Sequence, residues 1–158
     1  MDKTGITTRS NPPQYIPYLM KPIHILHIED EAADLLLLNK LLKISDHTFH
    51  CTAITNCKSA LQYLSEVEPQ KFPVVILLDL MFPSGMGGFD FLEAYAARFY
   101  MHHHRTKIIV LTSSALKQDR KSSLEHEFVT EYWTKPVSLM QINKIARYYM
   151  HQQIRADE

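Results

Sequence analysis

Val74-Val75-Ile76-Leu77-Leu78-Asp79 is an apolar run of five residues closed by a carboxylate, and it decides the fold. A run of that length without polar alternation reads as a strand covered on both faces. Such strands belong to parallel sheets, whose crossover helices lie on either side. Two more apolar runs share the pattern: Ile23-His24-Ile25-Leu26-His27-Ile28, followed by Glu29 and Asp30, and Lys107-Ile108-Ile109-Val110-Leu111, followed by Thr112. Weaker β-rich segments at residues 48–54 and 129–134 bring the expected strands to five. Between them run helical patterns near residues 31–44, 58–67, 89–100, 116–127 and 138–153. Leu35, Leu38 and Leu42 mark the buried stripe of the first, and Leu139, Ile142, Ala146 and Tyr149 that of the last. Strict alternation of strand and helix predicts an α/β fold: a five-stranded parallel sheet with helices on both faces.

Composition frames this as one globular domain, with 46% hydrophobic and 22% charged residues in a chain of 158. Seventeen basic and seventeen acidic residues leave no net charge, which argues against direct nucleic-acid or anionic-membrane binding. No segment approaches the roughly 20 apolar residues of a membrane span, and no apolar leader opens the chain. Cys51 and Cys57 lie in or beside one expected strand and read as reduced packing residues of a cytoplasmic protein. Pro12, Pro13 and Pro17 predict a flexible tail over residues 1–21, in which Tyr15, Ile16, Tyr18 and Leu19 could dock either on the domain or on a partner. The folded domain is expected over residues 22–151, with a short tail at residues 152–158 and output through a partner protein.

The chemistry is expected at the carboxyl edge of the sheet, where open α/β folds bind ligands. Two strands deliver Glu29, Asp30 and Asp79 there. Each alone reads as well as a helix cap, and Glu31 reads best as one. Together they repel one another and predict a hard divalent cation, Mg2+, held by oxygen. A carboxylate attacks phosphorus only where the gathering negative charge is neutralised, and an ion and a lysine can do that. Lys135, before Pro136, is the expected lysine, and Ser84-Gly85-Met86-Gly87-Gly88 is a flexible loop beside Asp79. A phosphatase using an aspartyl nucleophile would carry a second acid two residues on, where this chain has Met81. His24 and His27 read as packed neutral histidines, His102-His103-His104 as a solvated helix end, and Ser138 as an N-cap.

In order and spacing these residues resemble the receiver domain of response regulators, over residues 22–151. The resemblance implies a flavodoxin-like fold and a stand-alone, chemotaxis-type phosphoacceptor of a two-component phosphorelay. It implies that Asp79 is phosphorylated, and that Glu29, Asp30, Asp79 and the backbone carbonyl of Met81 hold Mg2+. Thr112 and Lys135 are implied to close on the phosphoryl group, and Tyr132 to be the aromatic switch coupled to Thr112. The family glycine falls at Gly87 or Gly88, and the phase of Phe89, Phe91 and Leu92 favours Gly88. The implied partners are a sensor histidine kinase or histidine phosphotransfer protein, plus an unnamed target. Docking or homodimerisation is expected on the face of the fourth helix, fifth strand and fifth helix, where Met140, Tyr148, Tyr149 and Met150 lie. No turnover of a separate substrate is expected. The rival reading is a receiver-like interaction module that is not phosphorylated.

Overall fold

Burial on both faces makes the apolar run at Val75–Leu78 a central strand, β3, in which every residue is buried. A computed structural model describes residues 21–156, with side chains to Tyr149. The expected N-terminal tail, apart from Lys21, and the side chain of Met150 lie outside the described residues. Chain order runs β1 (Ile23–Ile28), α1 (Ala32–Ile44), β2 (Phe49–Ile54), α2 (Cys57–Glu66), a 3-10 turn (Pro69–Lys71), β3, α3 (Gly88–Arg98), β4 (Lys107–Thr112), α4 (Lys117–Leu124), β5 (Val129–Thr134) and α5 (Leu139–Ala156). All pairings are parallel and the strand order is β2-β1-β3-β4-β5, the flavodoxin-like arrangement expected.

Side chains alternate across the sheet, and so divide the core in two. Leu26, Ile28, Ile76, Leu78, Ile108, Val110 and Tyr132 face α2 and α3, which contribute Leu61, Leu64, Phe91, Leu92 and Tyr95. Ile23, Ile25, Val75, Leu77, Ile109, Leu111 and Trp133 face α1 and α5, which contribute Leu38, Leu42, Ile142, Ile145 and Ala146. Leu35, Leu139 and Tyr149, expected in the helical stripes, are only half-buried, and Ile145 takes a buried place not foreseen. Cys51 and Cys57 are free thiols. Burial pushes Cys57 up to about 12 and Cys51 to about 11, in keeping with packing roles.

The chain leaves β1 outward to β2 and then crosses back to β3 on the other side of β1. That reversal opens a crevice at the carboxyl ends of β1 and β3, which end just before Glu29 and Asp79. The ladder continues past the strand ends: Glu29 N–H donates to Ile54 O at 3.0 Å, and Asp79 N–H to Ile28 O at 3.1 Å. Both acids are thereby fixed by backbone before their side chains do anything. On the other flank a register shift lies between Ile108 and Ile109, after which Thr112 pairs with Thr134, and Lys135 N–H donates to Thr112 O at 2.9 Å. Lys135 therefore follows a ladder whose phase is set one strand beyond Asp79.

Two elements differ from expectation. The fourth helix ends at Leu124 rather than near residue 127, because buried Phe128 must reach β4, where its carbonyl accepts from Ile108 N–H. Residues 125–127 form the turn instead. The histidine triplet follows α3 in a turn; His102 and His104 are exposed, whereas His103 is half-buried, its ring stacked on Phe72 with centroids 3.5 Å apart.

Candidate functional site

The crevice gathers carboxylates around one ammonium. Lys135 Nζ lies 2.6 Å from Glu29 Oε2, 2.8 Å from Asp34 Oδ2 and 2.8 Å from Asp79 Oδ2. The ammonium is ion-paired with all three and donates a hydrogen bond to Asp79 Oδ2. Burial works to lower the Lys135 pKa, but bonds from Asp34, Asp79 and Glu29 outweigh it and hold the lysine above its usual range. Burial pushes the Glu29 carboxyl up, against the pull of Lys135 and of the Glu31 N–H that donates to Glu29 Oε1 at 2.9 Å. That last bond also corrects the expected cap: Glu31 sits at the N-cap of α1 without a side-chain bond, and Glu29 satisfies its backbone.

Glu29, Asp30 and Asp79 each offer an oxygen, all within 4.8 Å of one another. Glu29 and Asp79 are buried, whereas Asp30 is exposed and opens the cluster to solvent. An all-oxygen donor set, with one solvent-facing member, suits a hydrated hard cation. Four carboxylates, counting Asp34, against a single lysine leave a negative site that such an ion would balance. Among the described residues this is the one cluster of its kind, and His102-His103-His104 forms none.

The Asp79 side chain is held at both oxygens: Met81 N–H donates to Oδ1 at 3.0 Å and Lys135 to Oδ2 at 2.8 Å. The loop behind it closes over Gly88, whose N–H donates to Leu80 O at 3.1 Å. A Cβ at Gly88 would come within 2.6 Å of Asp79 O and of Leu80 Cα, so of the two glycines weighed for this place it is Gly88 that must be glycine. The side chain of Met81 points outward, 59% exposed.

Thr112, fully buried at the end of β4, accepts from Ser114 N–H through Oγ1 at 3.3 Å. Tyr132 lies inward, its hydroxyl donating to Ser114 O at 3.0 Å. Arg120 of α4 donates to Tyr132 O at 3.1 Å, with its guanidinium 5.6 Å from the tyrosine ring. Thr112 and Tyr132 thus meet through the same residue, Ser114, and α4 is tied to Tyr132 by Arg120 and to Ser114 by Asp119. Sequence reasoning brought Glu29, Asp30, Asp79, Thr112, Tyr132 and Lys135 to this end of the sheet; the structure gathers Glu29, Asp30, Asp79 and Lys135 in one cluster and joins Thr112 and Tyr132 at Ser114. That reasoning missed Asp34, whose partner Lys135 lies far along the chain at the end of β5. Below the site His27 is buried and its pKa is lowered to about 4, chiefly by burial and then by Lys135, as fits a neutral packed histidine.

A family model described as the response regulator receiver domain matches residues 25–147. Among solved structures, a two-component response regulator from Cytophaga hutchinsonii is 19% identical, with a TM-score of 0.75, covering 83% of this chain and 99% of that one; it speaks to the fold alone. The Mn(2+)-bound form of response regulator Rcp1 is 28% identical at a TM-score of 0.63, covering 78% of this chain and 88% of that one. The phosphorylated cyanobacterial phytochrome response regulator RcpA is 26% identical over the same shares, also at 0.63.

Proposed function

Since this chain belongs to the response regulator receiver domain family, we propose that it is a two-component response regulator that accepts a phosphoryl group on Asp79. The observation that carries the reading is the convergence of Glu29, Asp34 and Asp79 on the ammonium of Lys135, in a crevice that Asp30 opens to solvent. Glu29, Asp30, Asp79 and the carbonyl of Met81 are the residues that would hold Mg2+. Support for an ion comes from the donor set itself and from the Mn(2+)-bound form of the similar regulator Rcp1. When bound, the ion supplies Lewis-acid neutralisation of phosphoryl oxygens.

The rest is the work of the chain. A carboxylate oxygen of Asp79 forms the O–P bond while the P–N bond to a donor histidine breaks, the electron pair leaving with the imidazole. Lys135 meets the charge that gathers on the phosphoryl oxygens. The phospho-aspartate carries about one more negative charge than the carboxylate and adds acceptor oxygens. Thr112 turns its hydroxyl toward them and gives up the Ser114 N–H. The loop at residues 113–117 follows, and with it the Tyr132 hydroxyl bond and the Arg120 tie to α4. The output is altered protein binding on the face of α4, β5 and α5, where Leu116 (65%), Met140 (74%) and Tyr148 (44%) are exposed and where a homodimer would also form. The donor is a sensor histidine kinase or a histidine phosphotransfer protein; RcpA makes phytochrome-type kinases the first to try.

The test is intact mass after incubation with Mg2+ and a small-molecule acyl phosphate. One phosphoryl gain that needs both the ion and Asp79, and is absent from Asp79→Asn, is the expected result. No gain makes the unphosphorylated interaction module the better reading.

A further inference from the structure

We infer that Asp34 is a positioning residue that keeps Lys135 from competing with a divalent ion for Glu29 and Asp79. The proposal rests on the reading of the crevice as an ion and phosphoryl pocket, and it concerns a carboxylate outside the trio that could hold the ion. Lys135 Nζ forms ion pairs with Glu29 Oε2, Asp34 Oδ2 and Asp79 Oδ2, and donates a hydrogen bond to the last. Two of these three partners belong to the trio; Asp34 is the one that does not.

The geometry makes the consequence asymmetric. Any ion held by Glu29 and Asp79 takes up carboxylate lone pairs on which the ammonium now rests, and cation repels cation at this range. With Asp34 present, Lys135 keeps a charged partner and stays beside Asp79, where an incoming phosphoryl group needs it. Without Asp34, Lys135 has only the ligand carboxylates to lean on, and an ion must displace it. Asp34 is suited to the part: it projects from the first turn of α1, which is anchored behind it by buried Leu38 and Leu42, and it is partly open to solvent, so it can shift with the lysine. Its backbone lies on a helix rather than on the loop that carries Asp79, so its position does not depend on that loop.

A double-mutant cycle read by calorimetric Mg2+ titration of the full chain separates this role from simple charge. In the parent background Asp34→Asn should weaken Mg2+ binding about five- to tenfold, a coupling of ordinary size for groups in one network. On Lys135→Gln the same change should cost no more than about twofold, because no ammonium remains to be held. Asp34→Glu, which restores a carboxylate one methylene longer, should recover most of the loss. Equal losses in both lysine backgrounds would mean that Asp34 acts only as a nearby charge, and that result overturns the proposal, as does no loss at all. A parent chain that binds no Mg2+ at millimolar concentration overturns both the proposal and the reading beneath it. An intact coupling without phosphoryl gain from an acyl phosphate overturns the reading alone. Thermal melts of each variant guard against misfolding, which the partly exposed place of Asp34 on its helix makes a small concern.

Discussion

Gly88 occupies the site's tightest backbone crossing, where a single methyl group decides the geometry. A Cβ there would sit 2.6 Å from Asp79 O and 2.6 Å from Leu80 Cα, both backbone atoms that cannot swing aside. Gly88→Ala should therefore cost about 1–3 kcal/mol, as overpacking does, and should displace Asp79 as well; urea unfolding reads the first effect and the rate of acyl-phosphate labelling the second. Gly85→Ala is the control: nothing lies within 4 Å of its Cβ, but its φ of +78° leaves a strain of about 1 kcal/mol, with Asp79 undisturbed. His27 gives a pH prediction. Its folded pKa, lowered from 6.5 to about 4, means that the unfolded chain takes up the proton first. Stability is therefore full above pH 6.5 and is lost as pH falls toward 4, by up to about 3 kcal/mol. Glu29, whose carboxyl is raised, works in the opposite sense over part of this window. The pH profile of His27→Gln should be flatter than the parent's on the acid side, and parallel profiles would rule the assignment out. Gly88 was legible in the phase of Phe91 and Leu92, while Asp34 was not, because its partner lies on β5's far end and no local spacing announces a contact across 101 residues.

At the scale of elements, the strands and four of the helices carry their own burial pattern, and α4 does not. Val75–Leu78 is buried throughout, so its sequence admits one reading. Lys117–Leu124 buries only Ser123, whose hydroxyl is spent on Asp119 O at 2.7 Å. Its place comes from outside: Arg120 bonds Tyr132 O, and Ser114 Oγ bonds Asp119 Oδ2. That is why the end of α4 was misread from sequence, where no apolar stripe marks its length, and why the strands were placed to within a residue or so. A helix held by a few polar ties opens at low free energy. Amide hydrogen exchange should accordingly be fastest, among the helices α1 to α4, over Lys117–Leu124, and slower by orders of magnitude in β3. Tyr132→Phe removes the hydroxyl bond to Ser114 O at 3.0 Å, which braces the residue that Asp119 holds, at a cost of about 1 kcal/mol. It should speed exchange in α4 without touching that of α1, and an unchanged α4 would show that Tyr132 does not couple to it.

For the whole molecule, the site and the fold draw on the same strands. β1 and β3 are neighbouring inner strands of the sheet, they carry both halves of the core, and their ends deliver Glu29 and Asp79 into mutual repulsion that one lysine only partly offsets. The composition could not reveal this, since seventeen acids balance seventeen bases over the chain while four acids meet one lysine in the crevice. An ion bound there is bound by the folded chain alone, because the carboxylates converge only when β1, β3 and α1 are in place. Mass action then stabilises the fold by about 2.7 kcal/mol at one hundred times the Kd. In a domain of this size roughly 3 °C of Tm accompanies each kcal/mol, so saturating Mg2+ should raise the melting temperature by about 8 °C, and a chelator should return it. Asp79→Asn, which removes one ligand charge, should melt with little response to Mg2+. Asp34→Asn should respond, but only at higher concentration, because its ligands are intact and a lysine must first be displaced from them. A parent melt that ignores Mg2+ while calorimetry reports binding would place the ion away from these strands.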